Sequence, residues 1–203
     1  MKIYVCSSNR GKLKEFALAA KRIDTESLAF EQLPGLTEIT PPPEDGRTFE
    51  ENATAKAIYY SRLTHGIVLA DDSGLEVDAL NGAPGVLSAR YAGPNAADED
   101  NNDLLLRDLG NSTNRAARFV CVIAVAQHEV TLATARGIVE GNILLSRRGN
   151  RGFGYDPLFF YPPLNRSFAE LTAEEKLAVS HRGHAVRAIV NSLQNGYSAS
   201  GAL

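Results

Sequence analysis

The sequence predicts one α/β domain spanning residues 1–203, and three patterns carry that reading. A short β-prone run, Lys2-Ile3-Tyr4-Val5-Cys6, passes through a polar turn into a helical stretch that opens at Lys12. A second helical stretch, Thr48 to Leu63, precedes the apolar run Gly66-Ile67-Val68-Leu69-Ala70, which reads as a buried strand. Two more apolar runs, Arg118 to Ala126 and Val130 to Ala135, flank Gln127-His128-Glu129 as a hairpin.

Composition narrows the function classes. A chain of 203 residues, 44% hydrophobic and 22% charged, fills one sizeable core. A formal net charge of -3 argues against a protein that tracks a nucleic-acid polymer, which needs a basic face. A small anionic ligand needs only a local group of cations. Cys6 and Cys121 both lie in apolar runs, as buried reduced thiols of a cytoplasmic protein would. No run reaches membrane-spanning length, and the N-terminus lacks a secretion-signal core, so no membrane partner is expected.

Taken in order, the first strand leads through Ser7-Ser8-Asn9-Arg10-Gly11 into a helix whose Leu13, Phe16, Ala17 and Ala20 repeat at helical spacing. Strand, glycine-containing turn and helix N-terminus form an anion site through free amides and the helix dipole. Cys6 and Leu13 stand where a Walker loop needs Gly and Ser or Thr, so this is no standard P-loop. The segment reads equally as a plain strand-to-helix turn. Thr40-Pro41-Pro42-Pro43-Glu44-Asp45-Gly46 reads as a surface loop. In the second helix Thr48 and Glu51 fit a capping box, and Phe49, Ala53, Tyr60 and Leu63 are expected to face inward. Asn52 and Lys56, four apart, share a face near that of Phe49 and Ala53.

The stretch Ala70 to Gly93 is the centre of the reading. Asp71 and Asp72 are expected at the exit of the buried strand, in a glycine-rich loop with Ser73 and Gly74. Carboxylates so placed suit Mg²⁺, which keeps waters and takes further ligands from a substrate phosphate. Asp98, Glu99 and Asp100 open a helix and are explained by its dipole. Gly152-Phe153-Gly154-Tyr155-Asp156 alternates glycines with aromatic rings beside an acid, a pattern that builds either a stacking slot or a turn burying both rings. Thr172 and Glu175 make another capping box, and a last helix places Val186, Ile189, Val190 and Leu193 inward. His181 and His184 lack a third nitrogen or sulfur ligand at zinc spacing.

Five segments, S-S-N-R-G-K, T-F-E-E-N-A-T-A-K-A, A-D-D-S-G-L-E-V-D-A-L-N-G-A-P-G-V-L-S-A-R-Y, G-F-G-Y-D-P-L-F and L-T-A-E-E-K-L-A-V-S-H-R-G, stand in an order that resembles the inosine triphosphate pyrophosphatase family, the noncanonical purine NTP pyrophosphatases. Ser7-Ser8 departs from the Thr-Gly common in that family. The resemblance implies an α/β fold with a long, curved mixed β-sheet flanked by helices, in two lobes with a central cleft. It implies a homodimer that hydrolyses ITP, dITP and XTP to monophosphate and pyrophosphate with Mg²⁺. Carried over by position, Ser7, Ser8, Asn9, Arg10, Gly11 and Lys12 would hold the phosphates. Asp72 would be the metal-linked acid and proton acceptor, with Asp71 and Glu44 as metal partners. Ser73 would touch the nucleotide. Phe153, Gly154, Tyr155, Asp156, Lys176, His181 and Arg182 would enclose the base and reach the phosphates, and Lys12, Lys56 and Lys176 would manage charge.

Hypoxanthine and xanthine carry an oxygen at C6, so a donor such as His181 or Arg182 there would reject ATP by roughly 10⁴-fold or more. Which of Asp71 and Asp72 is base and which ligand stays open on spacing alone. A phosphoryl-transfer kinase, a non-catalytic nucleotide sensor, and a sister pyrophosphatase family with another base preference are the competing readings.

Overall fold

β-branched and aromatic residues at Lys2–Val5 (β1) form the first strand, and the polar turn releases it into α1, Arg10–Arg22. In the computed structural model, residues 2–22 and 29–200 are described, the last five by backbone alone. The remaining elements are β2 (Ala29–Gln32), α2 (Phe49–Ser61), β3 (Ile67–Val77), α3 (Asp98–Leu109), β4 (Ala116–Gln127), β5 (Val130–Ile143), β6 (Phe159–Tyr161), β7 (Arg166–Ser167), α4 (Ala173–Val179) and α5 (His181–Ser200). They build the expected α/β arrangement around an open mixed sheet of seven strands ordered β2-β1-β3-β4-β5-β6-β7. β1 lies parallel to β2 and β3, whereas β6 is antiparallel to both β5 and β7.

The chain packs as two interleaved units. Met1–Asp72, Cys121–Gly137 and His181–Leu203 make the first, and Ser73–Val120 with Ile138–Ser180 the second. The core of the first unit includes Ile3, Phe16, Phe49, Ala53, Val68 and Ile189. Leu75, Leu105, Phe119, Phe159 and Phe168 centre the second. There the Phe119 and Phe159 ring centroids lie 4.6 Å apart, within the range of favourable aromatic packing.

Local rules explain the boundaries. Thr48 caps α2 by accepting a hydrogen bond from the Glu51 amide at 3.1 Å, while the Glu51 carboxylate reaches past Thr48 to the Arg47 amide. Thr172 and Glu175 close a reciprocal capping box on α4. His128 and Glu129 both take left-handed φ, 49° and 64°, as a two-residue hairpin turn of the I′ kind requires. Val186, Ile189, Val190 and Leu193 are buried as expected.

Three expectations need correction. The buried strand does not end at Ala70; β3 continues to Val77 and contains Asp71 and Asp72. The acids interrupt the apolar pattern, but each is buried against a cation, so the strand persists through them. Leu63 lies beyond the end of α2 and is half exposed. On α1 it is Ala19, not Ala17, that is buried with Phe16.

Candidate active site

In the first unit the site starts where β1 gives way to α1. The Asn9 carbonyl side chain accepts from the Lys12 amide at 3.0 Å, and the Ser7 hydroxyl accepts from the Asn9 amide at 3.3 Å. Asn9 is therefore the N-cap of α1. Ser8, Asn9 and Arg10 are exposed and Ser7, Gly11 and Lys12 partly so, leaving the helix start open to an anion.

Lys12 Nζ lies 2.9 Å from Asp71 Oδ2. Asp71 also meets Arg182, whose Nη2 is 3.4 Å away, and the other terminal nitrogen of Arg182 pairs with Glu15 of α1. Burial lifts the Asp71 carboxyl, but Lys12, Arg182 and Lys56 outweigh it and hold its pKa down at about 2. For Arg182 burial favours the neutral form, yet Glu15 and Asp71 leave its pKa above the ordinary value. Both terminal nitrogens of Arg182, which is 1% exposed, thus engage acids of the first unit. Arg182, expected as a donor to a base, joins Asp71 to Glu15.

Asp72 has different partners. Lys56 Nζ lies 3.2 Å from its Oδ1 and 2.7 Å from Glu44 Oε1, and Asn52 Nδ2 donates to its Oδ2 at 3.0 Å. The same Asn52 side chain accepts from the Gly46 amide at 2.8 Å. A Cβ on Gly46 would stand 2.5 Å from Asn52 Oδ1, so only glycine lets the Glu44 loop come this close. Burial raises the Asp72 pKa, and Lys56, Lys12 and Asn52 offset only part of it. For Lys56 burial opposes the charge, but Asp72, Asp71 and Glu44 raise its pKa overall.

α5 reaches this cluster because β5 carries no side chain at residue 137. A Cβ on Gly137 would come within 2.0 Å of the His181 carbonyl oxygen and 2.5 Å of the Ala185 amide. The glycine admits the first turn of α5, and with it buried His181 and Arg182.

In the second unit, Phe153, Gly154, Tyr155, Asp156 and Lys176 come together. Lys176 Nζ pairs with Asp156 Oδ2 and stands 4.7 Å from the Phe153 ring centroid, a cation–π distance. Asp156 Oδ2 also accepts from the Phe153 amide at 2.9 Å. Gly154 is held at both ends, its amide by Asp98 at 2.6 Å and its carbonyl by Asn102 at 2.9 Å. Of the two rings, only Phe153 stays partly exposed. Tyr155, expected beside a base, is buried, and its hydroxyl donates to the Ser88 carbonyl at 2.9 Å. Ser73, half-buried in β3, opens this unit.

A model of the Ham1 family matches residues 3–192. The chain belongs to the Ham1 family. The dITP/XTP pyrophosphatase of Acidobacterium capsulatum is 50% identical over 200 residues, 94% of this chain and 97% of that one. That of an Exiguobacterium species is 49% identical over 187 residues, 92% and 94% of the two chains. The solved Staphylococcus aureus Ham1 protein superposes with a TM-score of 0.84 at 39% identity, over 97% of this chain and 100% of its own. The HAM1 protein of Coxiella burnetii gives 0.85 at 38%, over 96% and 99%.

For this Ham1-family chain the geometry decides which acids suit a divalent ion. Among the described residues no group of three or more His, Cys, Asp or Glu side chains is placed to hold one. The expected set of Asp71, Asp72 and Glu44 therefore does not form a single cage; Asp71 is taken by Lys12 and Arg182. Glu44 and Asp72, both within reach of one ammonium, do fit a hard ion that keeps waters and phosphate oxygens as its other ligands. Asn52 and Glu15 are the residues that sequence reasoning left out of the site. Asn52 was signalled by its shared face with Lys56; Glu15 carried no signal, since its partner lies 167 residues away.

Proposed function

We propose that this Ham1-family chain hydrolyses deaminated purine nucleoside triphosphates, ITP, dITP and XTP, to the monophosphate and pyrophosphate. The observation that carries the proposal is the pairing of two amines, Lys12 and Lys56, with the adjacent acids Asp71 and Asp72 beside an exposed helix start. The relatives 45–50% identical to it are named dITP/XTP pyrophosphatases, which supports two of these substrates, dITP and XTP. A homodimer belongs to the proposal on the strength of the family resemblance, and a cytoplasmic setting on the two free, buried cysteines. No described helix is long and apolar enough to cross a membrane.

In this reading water attacks the α-phosphorus while the β,γ-diphosphate leaves. The exposed amides at the start of α1 and the Lys12 ammonium hold phosphate oxygens, where charge builds in the transition state. Asp71, held ionised at about 2, fixes the Lys12 ammonium. Asp72, whose pKa is raised by burial, accepts the proton of the attacking water. Glu44 and Asp72 would hold Mg²⁺, which would supply Lewis acidity and neutralise phosphate charge. Within the second unit, Phe153 keeps a partly exposed ring face, held by Asp156 and Lys176, of the kind on which a purine stacks. By the family resemblance, His181 would be the donor for the C6 oxygen.

The test is a panel of nucleoside triphosphates with Mg²⁺, scored for pyrophosphate against orthophosphate. The expected result is pyrophosphate from ITP, dITP and XTP with ATP refused. Orthophosphate as the product, or equal turnover of ATP and ITP, overturns the proposal.

A further inference from the structure

Lys56 occupies an unusual place for a phosphate-binding lysine. Its ammonium bridges the two acids that suit a divalent ion, 2.7 Å from Glu44 and 3.2 Å from Asp72. The arrangement is rigid. Asn52 fixes the second oxygen of Asp72 and, through the Gly46 amide, the loop that carries Glu44. The Lys56 and Asp72 side chains are only 10% and 8% exposed, so little water screens charges placed between them. Two carboxylates and one ammonium leave a net charge of -1 in the group; neutralising the lysine leaves -2.

We infer that Lys56 competes with the divalent ion for Glu44 and Asp72, and that its ammonium leaves these acids for the phosphates of the nucleotide when the ion enters. The inference rests on the metal reading above. An ammonium and a dication drawn to the same two oxygens repel one another, most strongly on the buried Asp72 side. The triphosphate resolves the conflict by giving the displaced ammonium oxygens of its own. Ion and nucleotide therefore enter together, and the nucleotide-free protein binds the ion weakly by construction. Lys56 so acts against metal binding and in favour of phosphate binding from one position on α2.

The experiment titrates Mn²⁺ into nucleotide-free protein and reads free Mn²⁺ by electron paramagnetic resonance, with thermal melts confirming that each variant is folded. Lys56→Met is expected to tighten Mn²⁺ binding by roughly tenfold or more, as removal of a nearby positive charge predicts. Lys56→Gln, a second neutral variant that retains a donor for the acids, is expected to tighten it too. Lys56→Arg keeps the charge and is expected to stay near wild type. If both neutral variants bind Mn²⁺ no better than wild type, while Asp72→Asn and Glu44→Gln still weaken it, the competition is overturned and the metal site stands. If Asp72→Asn and Glu44→Gln leave Mn²⁺ binding unchanged, the ion sits elsewhere and both readings fall.

Discussion

Asp71 and Asp72 are neighbours in sequence, but successive side chains of a strand point to opposite faces of the sheet. That alternation gives one acid to Lys12 and Arg182 and the other to Lys56 and Asn52. Asp71 is held down at about 2 whereas burial raises Asp72, which is why Asp72 is the acid proposed as base. Asp72→Asn is expected to abolish ITP turnover while the melting temperature stays near wild type; substantial residual turnover would remove Asp72 from the reaction. Since the base acts only when ionised, kcat/KM falls as pH drops through the raised Asp72 pKa. The Asn52 hydrogen bond favours the ionised form, so Asn52→Ala moves that acid limb to higher pH. A pH–rate profile with an unmoved or lowered midpoint would contradict the assignment. At this scale the sequence was legible in singling out Asp71 and Asp72 as a charged centre, which Lys12 and Lys56 meet. Arg182 was not, because its long-range partners Glu15 and Asp71 cannot be read from local pattern.

Helices and turns were legible because their signals are local. Thr48 and Thr172 cap the helices they were expected to cap, and the hairpin turns at His128 and Glu129. β3 was cut short because burial of a paired carboxylate mimics the polar break that ends a strand. Loop approach was equally hidden, since the need for glycine at residue 46 arises from Asn52 and at residue 137 from α5. Gly137→Ala is expected to destabilise the protein by about 1–3 kcal/mol, because its Cβ meets backbone atoms that cannot rotate away. Chemical denaturation checks this, and a midpoint equal to wild type would show that α5 shifts without penalty. The same substitution should also depress turnover, since it displaces the turn that carries His181 and Arg182.

Across the whole chain, β3, β4 and β5 each run from one unit into the other. The order of the strands was beyond sequence reasoning, since pairing between distant segments leaves no local trace. The acid stability of the fold follows from its buried ion pairs. Asp71 has a folded pKa of about 2 against an ordinary 3.8, so its contribution is complete above the ordinary value and is lost as pH falls toward 2. That contribution is on the order of 2 kcal/mol. Lys12→Met should shrink the loss of stability between pH 4 and 2, as followed by urea melts; an unaltered slope would show that Lys12 does not hold Asp71 down.

Arg182 joins Glu15 and Asp71, residues contributed by the early, middle and late parts of the chain. On the ribosome the early two emerge long before their guanidinium does. Until then Asp71 lacks one of the three cations that keep it ionised, and α1 lacks its brace. The Glu15–Arg182–Asp71 pairs therefore form only once residues 15, 71 and 182 have all left the ribosome, which makes this brace a late contact in the folding of the first unit.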